Sequence, residues 1–174
     1  DSAGFTLTET NASGQSISYL YDTNGRLVSE ITAKGTADEH TTRYSYDAAG
    51  NQISVTQGYG TAQATVTSYL YDNLGRLTQQ TKGTGAQQQI TSYQYDGNGN
   101  VLRQEQGSAA QGTLQATSYV YDANQQLVFI LAPDGALTRF HYDRAGQRIA
   151  TSQYTQEFTG DIRNKTAVDN FIQS

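Results

Sequence analysis

The stretch Thr67–Gly75, which reads TSYLYDNLG, decides the fold because near copies of it recur along the chain. Most copies share a Thr-x-Tyr-x-Tyr-Asp-x-x-Gly motif, and its Tyr-Asp pair stands at six places: Tyr21-Asp22, Tyr46-Asp47, Tyr71-Asp72, Tyr95-Asp96, Tyr121-Asp122 and Tyr142-Asp143. The opening residues Asp1–Gly4 fit the end of a seventh copy. Regular spacing of this kind predicts a stack of small units, none of which can bury its apolar face alone.

Each copy is expected to form a β-hairpin. Thr, Tyr and Tyr at alternate positions line one side of an extended segment, and all three favour strands. The Asp-x-x-Gly that follows is typical of a type I turn with a bulge, in which aspartate accepts a backbone hydrogen bond and glycine takes the left-handed conformation. A second strand such as Arg26–Ile31 comes next, and Gly-rich connectors such as Gln57–Gly60 lead onward. The sequence therefore predicts an all-β fold of tandem antiparallel β-hairpins, stacked into a twisted ribbon that can spiral.

The tyrosines predict how the hairpins hold together. Eleven of the 13 occupy the two motif positions, and only Tyr59 and Tyr154 lie outside them. Phe140 replaces the first tyrosine of the last copy, which indicates that the ring matters more than the hydroxyl at that place. Because a lone hairpin is marginal in water, we expect rings of neighbouring hairpins to stack into ladders, at roughly 0.2–1 kcal/mol per cross-strand pair.

Two kinds of hairpin alternate. In one set the residue between the two tyrosines is apolar, and in the other it is polar; in chain order these residues are Leu20, Ser45, Leu70, Gln94, Val120 and His141. The first set has a leucine five residues past its aspartate, whereas the second has its apolar residue six past. Since a one-residue slip moves a side chain to the other face, we expect an extra bulge or a longer turn in the second set to keep that residue inward. The residue between the tyrosines should be covered in the first set and exposed in the second.

The turn of the Tyr121-Asp122 copy, the fifth of the six complete ones, departs from the motif because Gln125 stands where the others have glycine. Either Asn124 or Gln125 must take the left-handed conformation, and asparagine tolerates it better. We expect this turn to be the least regular.

Composition excludes several classes of protein and site. The net charge of −5, from 11 basic and 16 acidic residues, disfavours nucleic acid as a partner. The absence of cysteine excludes disulfides and thiolate metal sites. No run is long and apolar enough to cross a membrane. A chain that begins inside a repeat is interpreted as an excised piece, so the lack of a signal peptide has no meaning.

Residues 1–152 are expected to hold seven repeats, the first truncated. Residues 153–174 are expected to form a C-terminal cap or connector, either one short helix starting at Thr166–Asp169 or a disordered tail.

No residue is predicted to be catalytic, cofactor-binding or metal-binding. The six internal aspartates all have the same turn role, which is how structural residues behave. Asp96–Asn100, DGNGN, resembles a calcium loop but lacks the sixth-position glycine and the acidic twelfth ligand, so a hairpin turn is favoured. Gly58–Gly60 and Gly83–Gly85 have no lysine or helix with which to hold a phosphate. The two histidines, His40 and His141, are far apart in sequence and have no cysteine to complete a metal site.

Rows of tyrosine interspersed with Gln, Ser and Thr also suit sugar binding, because rings stack on sugar faces while amides and hydroxyls bond their rims. The alternative is that the rings contact one another, and it is favoured because the positions repeat too faithfully to form one specific pocket.

The motif variants Tyr-Asp-x-x-Gly-Arg-Leu, as in Tyr71–Leu77, and Tyr-Asp-x-x-Gly-Asn-x-Ile, as in Tyr46–Ile53, resemble the Tyr-Asp repeats of the Rhs family. That family includes bacterial polymorphic toxins, shell-forming subunits of insecticidal toxin complexes and animal teneurins. The resemblance covers residues 1 to about 152 and implies a long β-ribbon that spirals into a hollow shell around an unfolded or toxic cargo. Family shells end in a segment with Asp-Pro-type autocleavage residues. Here the only proline, Pro133, follows alanine, so no protease activity is inferred.

Two functional hypotheses remain. The first is a non-catalytic structural module, a shell wall or spacer, in a large secreted or cell-surface bacterial protein, with a toxin or toxin-delivery protein as the candidate parent. The second is an adhesin module that binds carbohydrate or protein through the repeat surface. The expected partners are adjacent repeats of the parent chain, and either an encapsulated toxin cargo or a surface glycan. The chain is expected to be a monomer, or to associate weakly end to end through its exposed hairpin edges.

Overall fold

A computed structural model describes residues 5–154 and 156–173 and shows an antiparallel all-β fold with a short C-terminal helix. The truncated first copy at Asp1–Gly4 lies outside the described residues. In chain order the elements are β1 Thr8–Thr10, β2 Ser16–Tyr21, β3 Leu27–Thr32, β4 His40–Tyr46, β5 Gln52–Gln57, β6 Thr65–Tyr71, β7 Leu77–Lys82, β8 Gln89–Tyr95, β9 Val101–Ser108, β10 Gln115–Tyr121, β11 Leu127–Leu131, β12 Leu137–Tyr142, β13 Arg148–Tyr154 and α1 Lys165–Ile172. Strands follow one another in sheet order as they do in the chain. The predicted fold class is confirmed.

The chain divides into two compact units, Asp1–Gln89 and Ile90–Ser174. Unit 1 contains the strands up to β7. Unit 2 contains the strands from β9 onward together with α1, and the boundary falls at the start of β8.

The Tyr-Asp motif closes each hairpin in the same way. In the β2–β3 hairpin, the Asp22 N–H donates to the Arg26 carbonyl at 2.9 Å, and the Gly25 N–H donates to the Asp22 carbonyl at 3.0 Å. Gly25 has a φ of 76°, in the left-handed region that glycine enters without steric cost. The strand register then shifts by one residue between Leu20 and Tyr21, which is a β-bulge. The predicted hairpin turn is therefore correct in its hydrogen bonds and in the role of its glycine.

The expected difference in turn or bulge between the two sets of hairpins is wrong. The β4–β5 hairpin has the same register shift, between Ser45 and Tyr46, and the same closing bonds as β2–β3. With an identical turn, the apolar residue six past the aspartate is not returned to the inner face. Ile53 and Ile149 are accordingly exposed, Ile149 by 66%.

The residue between the tyrosines does not follow the predicted alternation either. Leu20 and Leu70, expected to be covered, are 60% and 57% exposed. Val120 alone of this set packs against buried neighbours. The difference has a local cause, because Val120 lies where the C-terminal segment packs on the sheet of unit 2.

The turn that begins at Asp122 is regular, contrary to expectation. Gln125 itself takes the left-handed conformation, with a φ of 66°. Its N–H still donates to the Asp122 carbonyl at 3.1 Å, and the Asp122 N–H donates to the Gln126 carbonyl at 2.9 Å. The closing bonds of the turn thus impose the backbone geometry even where no glycine is present.

The C-terminal segment covers part of unit 2. Helix α1 starts at Lys165, and Asn164 is its N-cap: the Asn164 side-chain oxygen accepts the Ala167 N–H at 3.1 Å. Among the described residues, the buried apolar side chains belong to this region: Leu137, Phe158, Ile162 and Val168. Val120, Phe129 and Leu131 of the strands pack against them. The tail is therefore partly helical, and it contributes the best-buried apolar cluster.

Candidate functional site

The motif aspartate is fully engaged in holding its turn. Asp22 Oδ1 accepts the N–H groups of Asn24 and Arg26 at 2.9 and 3.0 Å, and Oδ2 accepts Arg26 Nε at 2.7 Å. The backbone N–H of Arg26 contributes most to lowering the pKa of Asp22, with its guanidinium helping. A carboxylate held in this way remains ionised and acts as a structural acceptor, rather than as a proton donor.

In the four turns that begin at Asp22, Asp47, Asp72 and Asp96, the residue after the turn glycine alternates between arginine and asparagine, and its side chain donates to the carboxylate of its own turn. Arg76 Nε lies 2.7 Å from Asp72 Oδ2, and Asn51 Nδ2 lies 2.9 Å from Asp47 Oδ2. Asn100 repeats the Asn51 contact with Asp96, again at 2.9 Å. The side-chain amide is the main cause of the lowered pKa of Asp47 and of Asp96. Asp96–Asn100, the loop that resembles a calcium site, is thus a hairpin turn whose carboxylate is used internally.

The second tyrosine of the motif joins one hairpin to the preceding one. In three hairpins its hydroxyl donates to the carbonyl of the fifth residue after the preceding motif aspartate: Tyr46 to Leu27 at 2.8 Å, Tyr71 to Gln52 at 2.9 Å and Tyr142 to Leu127 at 2.8 Å. Burial raises the pKa of Tyr71. A hydroxyl that donates to a backbone carbonyl at each of these interfaces fixes the position of one hairpin on the next.

The residue after the turn glycine also covers the ring of the next hairpin. The Arg26 guanidinium lies 4.9 Å from the centre of the Tyr46 ring, and its Nη1 donates to the Asp47 carbonyl at 3.0 Å. Phe5 holds the corresponding place one hairpin earlier and stacks on Tyr21 at 4.8 Å. For Tyr46 the expected stacking on a neighbouring tyrosine ring is therefore wrong: a cation–π contact and a hydroxyl bond provide the coupling.

In unit 2, hydrogen bonds of glutamine side chains join the last hairpins to one another. Gln126 Nε2 donates to the Gly146 carbonyl at 3.0 Å, from one turn to the next. The Gln125 side chain accepts a hydrogen bond from Asn100 Nδ2 of the preceding turn. The glutamine that replaces a turn glycine thus gains a contact that glycine could not make.

Two of the open grooves in the described part of the chain combine tyrosine and arginine side chains and could accept a ligand. In unit 1, a groove of about 560 Å³ is lined by Tyr19, Leu20 and Tyr59, and Arg43 lies 3.9 Å over the Tyr59 ring. In unit 2, a groove of about 530 Å³ lies between the sheet and the C-terminal segment, beside Tyr119 and Arg103. Both arginines that border the second groove are already paired, Arg103 with Glu105 and Arg163 with Asp161. The arrangement offers polar contacts and stacking surfaces, and it presents no pair of groups set up for proton transfer.

Neither histidine contributes to a cluster of ligands. His40 is exposed at the start of β4, and His141 Nε2 lies 3.0 Å from Ser152 Oγ. Within residues 5–154 and 156–173 no group of three His, Cys, Asp or Glu side chains is placed to hold a metal ion. No helix in the described part of the chain is long and apolar enough to span a membrane.

Comparison with known proteins agrees with this geometry. The teneurin YD-shell family model matches residues 5–103, more than half of the chain, and the chain therefore belongs to this family of Tyr-Asp repeat proteins. No curated protein sequence matches significantly. The repeat architecture is thus an Rhs-type Tyr-Asp repeat array, as its motifs predict.

Solved structures share the fold. A crystal structure of the TcdB2–TccC3–Cdc42 complex matches with a TM-score of 0.74 and 21% identity, over 88% of this chain and 9% of that one. A Photorhabdus luminescens Tc holotoxin pore with a mutation in TccC3 matches with a TM-score of 0.72 and 21% identity, over 88% of this chain and 8% of that one. This chain therefore spans less than a tenth of the length of those chains.

Sequence reasoning missed the role of the residue after the turn glycine. The alternation of Arg26, Asn51, Arg76 and Asn100 is visible in the sequence and was a usable signal, because both side chains can donate to the motif carboxylate. The tyrosine hydroxyl bonds were hidden for a different reason. Their acceptors are backbone carbonyls, which leave no trace in residue identity.

Proposed function

We propose that this chain is a non-catalytic wall or spacer segment of a large secreted or cell-surface bacterial Rhs-type protein, with a role in enclosing or delivering a toxin. The observation that supports the proposal most strongly is that the motif aspartate holds its own turn and that the second motif tyrosine, at Tyr46, Tyr71 and Tyr142, bonds to the preceding hairpin. The Asp22 carboxylate accepts hydrogen bonds from its own turn, and the Tyr46 hydroxyl donates to the Leu27 carbonyl of the preceding hairpin. Because these groups already make structural hydrogen bonds, they fit a structural role better than substrate binding or catalysis.

Membership of the teneurin YD-shell family and the fold shared with Tc toxin complexes support the same function. The partners in this proposal are the adjacent repeats of the parent chain and a cargo enclosed by them. We also propose that residues 1–152 form the repeat array and residues 153–174 its C-terminal cap. The burial of Phe158, Ile162 and Val168 against the strands supports the second part.

An adhesin module is the second candidate, and the grooves favour it where tyrosine rings are open. Arg43 covers one face of the Tyr59 ring in unit 1, but the side chain is still 45% exposed, and its open part can contact a sugar ring or a partner side chain.

A glycan microarray with the purified chain, followed by titration of any hit, separates the two candidates. A wall segment should give no saturable binding to any glycan. A reproducible hit that is lost in Tyr59→Ala, but kept in Ile149→Ala, which changes an exposed apolar side chain outside the groove, would overturn the structural proposal in favour of the adhesin. The coding sequence that flanks these repeats in the parent supplies the independent check: a toxin or autocleavage module beside them favours the wall, and adhesin domains favour the second candidate.

A further inference from the structure

In unit 1 a flat side chain covers the second motif tyrosine of two successive hairpins. The Phe5 ring stacks on Tyr21 with the two centres 4.8 Å apart, and a Cβ added to Gly25 would come within 2.5 Å of the Phe5 ring. At the next hairpin the Arg26 guanidinium lies 4.9 Å from the centre of the Tyr46 ring. The place beside a motif tyrosine therefore accepts a planar group, either an aromatic ring or a guanidinium.

The corresponding place beside Tyr71, in the β6–β7 hairpin, is open. The residue equivalent to Arg26 is Asn51, whose shorter side chain bonds to Asp47 at 2.9 Å. Gly75 in the β6–β7 turn is exposed, and a Cβ added to it would meet only Asn51 Oδ1, at 3.8 Å. A groove of about 650 Å³ takes the place of the covering group, and Tyr71 lines it.

The electrostatics of this groove favour a cation. Asp47 and Asp72 line it, and no Lys or Arg is among its described lining residues. The Asp72 carboxylate is paired with Arg76, whereas the Asp47 carboxylate accepts only the uncharged amide of Asn51 as a side-chain donor in the described residues. Burial contributes most to raising the pKa of Tyr71, and the negative charge of Asp47 adds to it. A negative field beside an aromatic ring attracts a cation that can stack on the ring.

Two oxygen atoms beside the groove can accept further hydrogen bonds. One hairpin earlier, the Asp47 carbonyl accepts Arg26 Nη1 at 3.0 Å in addition to the N–H of its own turn glycine. The equivalent Asp72 carbonyl accepts the Gly75 N–H at 3.0 Å and, in the described part of the chain, no side-chain donor. A carbonyl oxygen has two lone pairs, so one remains for a ligand. Asn51 Oδ1, which lies toward Gly75, is the second acceptor.

An apolar rim surrounds these polar groups. Leu70, Leu74 and Ile53 line the groove and are 57%, 74% and 37% exposed. The methylene stem of a long cationic side chain packs on such a surface while its charged end reaches the polar atoms. A guanidinium presents five donors in one plane and stacks on aromatic faces, which an ammonium group does not do. The lining therefore suits an alkylguanidinium better than an alkylammonium.

We propose that this groove binds the alkylguanidinium group of a ligand from outside the chain. The guanidinium stacks on the Tyr71 ring and donates to the Asp72 carbonyl and to Asn51 Oδ1, while the alkyl stem lies on Leu74. The ligand repeats, from outside, the contact that Arg26 makes within the chain one hairpin earlier. The inference goes beyond the wall or spacer function and stands whether or not that function is correct.

The probe is N-acetyl-arginine amide, titrated into the full 174-residue chain labelled with ¹⁵N and followed by NMR chemical shifts. We expect saturable shifts at Asn51, Asp72 and Gly75, with a dissociation constant in the millimolar range because the groove is open to solvent. N-acetyl-citrulline amide has nearly the same shape without the charge and should bind at least about tenfold more weakly. N-acetyl-lysine amide keeps the charge without the plane and should bind about threefold more weakly or less.

Butylguanidinium distinguishes two sources of the group, because it lacks the backbone amides of the arginine derivative. Tighter binding of the arginine derivative would support an arginine side chain of a partner protein as the natural ligand. Equal or tighter binding of butylguanidinium would support a free small guanidine.

Three variants of the chain test the location of the site. Asn51→Arg should fill the groove from within, pair with Asp47 and weaken binding of N-acetyl-arginine amide at least about tenfold. Leu74→Ala removes a side chain that is 74% exposed, so the chain should remain folded while binding weakens about two- to fivefold. Ile149→Ala changes an exposed side chain outside the groove and should bind like the parent chain. Absence of saturable shifts, equal affinity for the citrulline derivative, or unchanged binding in both groove variants would overturn the proposal.

Discussion

The hydroxyl of Tyr46 lies 2.8 Å from the carbonyl oxygen of Leu27, one hairpin earlier in the chain. The same bond joins Tyr71 to Gln52 and Tyr142 to Leu127. Each bond anchors the end of one hairpin to the start of the second strand of another. The repeats are therefore held in register by a hydroxyl donor as well as by the sheet.

Replacing Tyr46 with phenylalanine tests this bond while keeping the ring on which Arg26 lies. Loss of the hydroxyl leaves the Leu27 carbonyl without its donor, so the free energy of unfolding should fall by about 0.5–1.5 kcal/mol. Urea denaturation monitored by circular dichroism measures the change. Tyr59→Phe is the matched control, since Tyr59 lies outside the motif and its ring keeps the Arg43 contact; it should change stability by less than about 0.5 kcal/mol. Equal losses in the two variants would contradict the assignment.

The turn after Asp96 contains two glycines that differ only in backbone conformation. Gly99 has a φ of 93°, Gly97 lies outside the left-handed region, and an added Cβ meets nothing within 4 Å at either one. Gly99→Ala should cost about 1–2 kcal/mol because an L side chain is strained there. Gly97→Ala should be neutral or stabilise by up to about 1 kcal/mol, because alanine lowers the conformational entropy of the unfolded chain. Thermal and urea unfolding of both variants provide the measurement, and similar costs for the two would refute the turn geometry.

Acid should destabilise the array through its turn aspartates. Hydrogen bonds lower the pKa of Asp22, Asp47, Asp72 and Asp96 in the folded chain. Because the folded pKa is depressed, this contribution to stability is fully present above the unfolded pKa of about 3.9 and is lost as the pH falls through the lower folded value.

Unfolding free energies measured from pH 7 to pH 2 should therefore drop below about pH 4. Asp47→Asn should be less stable at pH 7 and show a shallower acid loss than the parent chain. Asp38→Asn, in an exposed connector, is the control and should follow the parent curve. A parent curve that stays flat down to pH 2 would contradict the turn role of these carboxylates.

The C-terminal segment should contribute strongly to the stability of unit 2. Leu137 is 1% exposed against Phe158, Ile162 and Val168, so Leu137→Ala should cost about 2–5 kcal/mol. Leu20→Ala removes the same side chain at a site that is 60% exposed and should cost less than about 0.5 kcal/mol. Urea denaturation of the two variants measures both losses in unfolding free energy. A large loss at Leu20 would mean that this face is covered in solution.

Much of the fold could be predicted because it depends on local chemistry that repeats. The Asp-x-x-Gly turn identified each hairpin, since aspartate and glycine have definite roles in closing it. The face of an apolar residue was harder to predict. Leu20 and Val120 occupy the same place in their copies, yet only Val120 meets the C-terminal segment. Their difference arises from a tertiary contact that no local pattern records.

The residues that connect neighbouring hairpins could be predicted, but the interaction that they make could not. Repetition indicated that tyrosines join neighbouring units, and ring stacking was the natural inference from their aromatic character. The hydroxyl of Tyr46 instead reaches a carbonyl, and Arg26 covers the ring. An acceptor on the backbone is the same for every residue type, so the sequence could not identify it.

The central claim is that the hairpins form a linear array in which each depends on its neighbours, and excision of whole repeats tests it most directly. Removing residues 48–72 joins Asp47 to Asn73 and keeps the motif in phase, and removing residues 23–72 joins Asp22 to Asn73 and deletes a full pair of hairpins. Urea unfolding should show both shortened chains folded, with stability falling in steps as hairpins are lost. Complete unfolding after the first excision, or unchanged stability after the second, would contradict the account.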